Sequence, residues 1–282
     1  MESMESQTKQ TMISWGFMGG LGVLAYLSFL TQLFHSWIRD EEYSFGILIP
    51  LIVVYLVWNR RTKLLNSEKS SWLPGLILVL VGSGMQVFAS RSGTLLLSGV
   101  SFVVTVSGIV GYLFGKKRLA VVLGPLLLLI LMVPLPSYAV GQLSWYLQSA
   151  ASTASGAVLG FLGVPVYQDG NFLRLPQYVL EVKEACSGSR SIFALLALAW
   201  ALGISTDSKY WARVLLILIT PILAFVANVI RIVGTGLVAR EWGSLAANES
   251  LHTFWGLTVF LIAVFGLVGI QNLLRRAVCK SA

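Results

Sequence analysis

The sequence predicts an all-α polytopic membrane protein of about eight transmembrane helices, with one small extracytoplasmic β-hairpin before the sixth span. Three observations predict it. Apolar residues make up 56% of the 282 and charged residues only 11%, less than half the charged share usual in soluble domains. The apolar residues gather in runs close to the roughly 20 residues that cross a bilayer. The 20 Lys and Arg fall mostly in short connections between those runs, a distribution that sets membrane orientation. The net charge of +8 is therefore read as topology rather than as nucleic-acid binding.

The runs lie near 12–34, 45–58, 72–89, 95–114, 119–133, 192–205, 212–238 and 254–274. The first is long and has no small-residue cleavage site, so it reads as a retained anchor. With a cytoplasmic N-terminus, the inside connections hold 13 of the 20 basic residues, among them Arg60, Arg61, Lys63, Lys116, Lys117, Arg118, Arg275 and Arg276. The outside segments hold 8 of the 12 acids, including Asp40, Glu41 and Glu42. That bias puts both termini in the cytoplasm. The chain reads as one integral membrane domain over 1–282, with a cytoplasmic tail at 1–11, an extracytoplasmic segment at 137–191 and a second cytoplasmic tail at 275–282.

The fifth span ends at Val133-Pro-Leu-Pro136, where two prolines break the helix. From Tyr138 to Leu162 the chain is small and apolar with Gln142 and Gln148 interspersed, which suits an interfacial or re-entrant amphipathic helix. Asp169-Gly170 sits between two roughly alternating segments and signals a hairpin. The hairpin leads into Glu181-Val-Lys-Glu-Ala-Cys186-Ser-Gly-Ser-Arg190, a polar stretch ahead of the sixth span. That span runs inward and the seventh runs outward, bringing Arg231 back towards the outer face. The eighth begins just after His252. Alternation of spans alone brings Cys186, Arg231 and His252 to one membrane face.

A thiol at a helix start beside cations has a lowered pKa and is nucleophilic. The ordinary alternatives are a buried filler or a disulfide, and the only other cysteine, Cys279, lies in the opposite tail, beyond disulfide reach. His252 is a polar interface residue or the base that activates the thiol and then protonates a leaving amine; His35 is held in reserve for that part. Arg231 snorkels to the interface or supplies a fixed cation for an oxyanion, and Asn228, three residues earlier, shares its helix face. Arg190 orients a substrate carboxylate or pairs with Glu184. The two histidines and two cysteines are scattered, so no metal site is expected, and no phosphate-binding glycine loop or other cofactor motif occurs. A transporter, a membrane acyltransferase and a polysaccharide-export component without catalysis remain open on these residues alone.

In this order and setting, Glu184-Ala-Cys-Ser-Gly-Ser-Arg190, Asn228-Val-Ile-Arg231 and His252 resemble the exosortase/archaeosortase family of membrane cysteine transpeptidases. Tyr43-Ser-Phe-Gly46, Ile49-Pro50 and residues 160–171 add to the resemblance, which covers about 20–275. It implies Cys186 as nucleophile, His252 as base and then acid, and Arg231 as the cation holding the oxyanion or orienting the thiolate, with Arg190, Asn228 and Glu184 in support. The implied partners are exported proteins with a C-terminal sorting tail: a Pro-Glu-Pro-like motif, one transmembrane helix and a basic end. The implied place is a bacterial inner membrane, with the site facing outwards. Ser189 stands where the family often has an apolar residue, and Phe45 where it often has histidine. Histidine in the third catalytic position points to the bacterial branch.

Overall fold

The computed structural model describes residues 24–68, 70–176, 178–182, 187–205, 209–242 and 249–280. The chain forms two compact units, Met1–Pro136 and Ser137–Ala282.

In the first unit, α1 covers 24–39. A 3-10 turn, Glu41–Ile47, feeds directly into α2, Leu48–Asn59, and the short α3, Arg61–Leu65, follows. Next come α4, Pro74–Ser92, and α5, Leu95–Phe114, then α6, Lys116–Leu128, which tightens into a 3-10 turn at Leu129–Met132. Helices α4 and α5 form the closest pair, and the reason is local. A Cβ on Gly108 would lie 2.7 Å from the Val79 backbone nitrogen and 2.8 Å from the Gly75 carbonyl, so these backbones touch through their glycines, as small residues allow in membrane helix pairs. Ser101 donates to the Gly82 carbonyl at 2.8 Å, and the Tyr26 hydroxyl from α1 meets Ser101 Oγ at 2.7 Å and Thr105 Oγ1 at 2.8 Å. Buried hydroxyls without water are costly unless paired, and here each one is.

The second unit carries the polar motifs. It opens with α7, Ser137–Phe161, followed by three short strands and then α8, Ser189–Ser205, α9, Tyr210–Trp242, and α10, Glu249–Lys280. The expected two-stranded hairpin is a three-stranded antiparallel meander: β1, Tyr167–Asp169, pairs with β2, Phe172–Arg174, which pairs with β3, Val179–Glu181. The first turn has Gly170 at φ +59° in its first central position, as a tight hairpin turn of mirror-image type demands. The second turn, at Pro176, carries no glycine signal, which is why the third strand was not legible.

Leu173, Leu175 and Val182 of the sheet region pack with Ala151 and Leu159 of α7 and with Ile232, Val233 and Ala239 of α9. Asn171 and Gln168 donate to Gln148 and Thr153 of α7 at 2.6 and 3.1 Å. The polar residues spaced along α7 thus receive the sheet. A separate core joins Ile192, Leu195 and Ala199 of α8 to Leu216 and Ala224 of α9 and Ala263 and Leu267 of α10.

Among the described residues, five helices are long and apolar enough to cross a membrane, or six if the helices on either side of Pro134 and Pro136 count as one broken span. Eight were expected. The start of the first run lies outside the described residues, the fifth breaks off at its prolines, and α8 has only 17 residues, about 26 Å of rise against a hydrocarbon core of about 30 Å.

Candidate active site

The site is assembled on three helices of the second unit. The Gly188 carbonyl accepts from the Ile192 N–H at 3.0 Å, the first intrahelical bond of α8. Just ahead, Ser187 Oγ accepts from the Ser189 N–H at 3.2 Å and lies 2.9 Å from Ser189 Oγ. Both serines are buried, so the polar approach to α8 is tied down by its own hydroxyls. Gly188 has φ +88°, and a Cβ there would sit 3.0 Å from the Asn228 carboxamide carbon. Only glycine satisfies both demands.

Asn228 is buried and Arg231 half-buried on α9. Arg231 lies 21 residues, or about 32 Å, along α9 from Tyr210. Beyond it α9 continues to Trp242, and Ile232, Val233 and Ala239 of this stretch pack against the sheet region and α7. The Arg231 carbonyl accepts from Thr235 Oγ1 and from Trp255 Nε1, both at 3.0 Å. The Trp255 indole packs on Gly234, and Arg231 Nη1 lies 3.7 Å from the position of a Cβ on Gly256. Gly256 is also 21 residues before Ala277, the end of the apolar stretch of α10. The two antiparallel helices therefore reach the Arg231 level after equal rises.

Ser191, Asn228, Arg231 and Gly256 line one crevice, closed by Leu195 and Phe260. Its free space is about 10 Å³, room for one water-sized sphere, so a reactant must approach from the open side. An oxygen placed there would meet a guanidinium, a carboxamide and the N-terminal end of α8, a set suited to a developing negative charge. Another face of α9 lines an apolar groove of about 590 Å³, with Ala154 and Val158 of α7, Val226, Ile230 and Gly234 of α9 and Trp255 of α10.

Arg231 and Asn228 thus share one crevice. Arg190 is exposed in the first turn of α8. His252 belongs to α10, one turn ahead of Gly256. Cys186 and Glu184 lie outside the described residues, two and four positions before Gly188 in the chain. His35 is in α1, in the other unit. Among the described residues no group of three or more His, Cys, Asp or Glu is placed to hold a metal. Gly188, Gly256 and Trp255 were not singled out in the sequence. Gly188 was legible as the glycine opening an apolar run, whereas the other two look like ordinary span residues.

Gly188→Ala is expected to destabilise the protein. The left-handed backbone costs a β-carbon about 1–2 kcal/mol, and Asn228 must also give way, so the thermal midpoint in detergent falls by about 2–6 °C.

Several helices long and apolar enough to cross a bilayer define a multi-pass membrane protein. The chain belongs to the transmembrane exosortase family: the model of that family, Transmembrane exosortase (Exosortase_EpsH), matches residues 37–269, most of the chain. Membership brings with it a membrane transpeptidase or protein-sorting role. No curated protein and no solved structure matches.

Proposed function

We propose that the protein is a cysteine transpeptidase that removes C-terminal sorting tails from exported proteins at the outer face of a bacterial inner membrane. The observation that carries this reading is the crevice lined by Asn228, Arg231 and Gly256, with Gly188 packed on Asn228; in the chain, Cys186 comes two residues before Gly188 and His252 four residues before Gly256. Sidedness rests on length and charge. From Tyr210 and Trp211, an aromatic pair of the kind that marks an interface, α9 rises about 32 Å to Arg231, about one hydrocarbon thickness. Lys209, Arg213, Arg275 and Arg276 cluster at the opposite ends of α9 and α10, the cytoplasmic ends by the basic-residue rule.

In the reaction, the Cys186 thiolate attacks the carbonyl carbon of the peptide bond at the tail motif. The carbonyl oxygen takes the electron pair and is held by Arg231, with Asn228 beside it. As the intermediate collapses, the C–N bond breaks and protonated His252 gives its proton to the departing amine of the tail. The exported protein is left as a thioester on Cys186. An acceptor amine or water, deprotonated by His252, then attacks the thioester and releases the thiolate. In the chain Cys186 comes three residues before Ser189, the first residue of α8, and a helix start of this kind favours a thiolate. Arg190 and Glu184 support the approach of the substrate motif.

The apolar groove on the other face of α9 suits the apolar helix of such a tail. Ala154 leaves room for close helix approach, and confinement to the bilayer raises the effective concentration of an anchored substrate. Ile230→Trp, on an exposed groove position, is expected to reduce tail release at least about tenfold, a loss of roughly 1.4 kcal/mol, at unchanged membrane level. The test of the function is co-expression with a tagged protein bearing a Pro-Glu-Pro-type tail, read by immunoblot. Tail loss with the wild-type chain supports the reading; an intact tail across a panel of such motifs counts against it.

A further inference from the structure

One end of the first unit carries a ring of cations that the transpeptidase reaction does not use. Arg60, Arg61 and Lys63 come from the α2–α3 junction, and Lys116, Lys117 and Arg118 from the start of α6. Specific contacts bind these segments to one another. Arg60 Nη1 donates to the Val121 carbonyl at 2.8 Å, Arg118 Nε to the Ser67 carbonyl at 3.1 Å, and Lys117 pairs with Glu68 at 2.6 Å. Gly115 packs on Ser70. Among the described residues of this ring, six cations face one carboxylate. The hydrogen bond and charge of Lys117 hold Glu68 below the usual carboxylate range, so it stays ionised at neutral pH and the excess stands at five.

Helix stability does not explain the ring. Three of its cations occupy the first turn of α6, the positive end of a helix dipole, where cations are unfavourable. Its rim is apolar as well. Trp58, Leu65 and Leu73 are 65, 74 and 70% exposed, and the Arg61 guanidinium stacks 5.0 Å from the Trp58 ring centroid. Cations beside exposed Trp and Leu at the ends of apolar helices match the chemistry of a phospholipid surface, with phosphates outermost and acyl chains beneath.

We propose that this ring is a binding site for the headgroup phosphates of anionic phospholipids. The Arg61 fork and the Lys63 and Lys116 ammonium groups meet phosphate oxygens, while Trp58, Leu65 and Leu73 lie against the upper acyl chains. Soluble phosphate shares the headgroup chemistry but leaves that apolar rim in water, so the lipid is the occupant.

The test uses the full-length chain in nanodiscs of zwitterionic lipid, titrated with phosphatidylglycerol and read by native mass spectrometry. Phosphatidylglycerol is expected to be retained over the zwitterionic lipid, less so as salt rises. The combined variant Arg61→Gln, Lys63→Gln, Lys116→Gln is expected to lose roughly fivefold in affinity per charge, about a hundredfold in total. The charge-keeping variant Arg61→Lys, Lys63→Arg, Lys116→Arg retains most of the binding, and added inorganic phosphate does not displace the lipid. Equal retention by the glutamine variant, salt-independent retention by the wild type, or displacement by inorganic phosphate each overturns the assignment. Because the protein is already folded when the lipid is added, a role of these cations in orienting the chain during insertion does not move the readout.

Discussion

Replacing Cys186 with alanine is expected to abolish release of the sorting tail, by at least about a thousandfold, the scale on which loss of a catalytic nucleophile acts. The expectation rests on the proposed role of the thiol as nucleophile; in the chain Cys186 comes two residues before Gly188, whose carbonyl begins α8. Cys186→Ser is expected to fail almost as badly. A serine hydroxyl at the same place stays protonated at neutral pH, and an imidazole base does not make up the difference. An immunoblot for tail loss at matched membrane levels checks both variants. A thermal melt of each variant separates lost chemistry from lost folding, because the buried Ser187–Ser189 pair that anchors this segment is untouched by either change.

Arg231→Ala is expected to cost about a hundredfold to a thousandfold in kcat, the usual effect of removing one donor from an oxyanion site. The loss should appear in kcat with KM nearly unchanged, since the guanidinium meets full negative charge only in the transition state. Arg231→Lys keeps the charge and loses the planar fork, and its activity should fall between those of the wild type and the alanine variant. The backbone of this turn is held independently: the Arg231 carbonyl accepts from Trp255 and Thr235, bonds that survive a side-chain change. A purified enzyme assay with a synthetic tail peptide gives the two constants separately. A pure KM effect would mark Arg231 as a substrate-binding group rather than an oxyanion holder.

What the sequence made legible follows from where its signals are local. Runs of apolar residues mark membrane helices because the bilayer sets their length, and α5 was read at 95–114, its observed bounds. Asp169-Gly170 announced a tight turn through one glycine, and β1 and β2 meet there. The third strand gave no such notice: its partner is set by the packing of Leu173 and Leu175 against α7 and α9, a tertiary effect. The seventh run was read at 212–238, close to the Tyr210–Trp242 of α9; what the sequence left hidden is that Ile232, Val233 and Ala239, beyond Arg231, are buried against the sheet region and α7. Within the site, Asn228 and Arg231 stood out as polar residues in an apolar run. Gly256 and Trp255 did not, since their part is to make room for the guanidinium and to hold its backbone, and neither task leaves a mark on composition.

The most direct test of the central claim is to trap the covalent intermediate. The enzyme is mixed with a tail-bearing substrate in the absence of acceptor, quenched in acid, digested and examined by mass spectrometry. A thioester linking the truncated substrate to Cys186, removed by hydroxylamine and absent from Cys186→Ala, is the expected result. Tail release by Cys186→Ala, with no adduct on the wild-type enzyme, would contradict it.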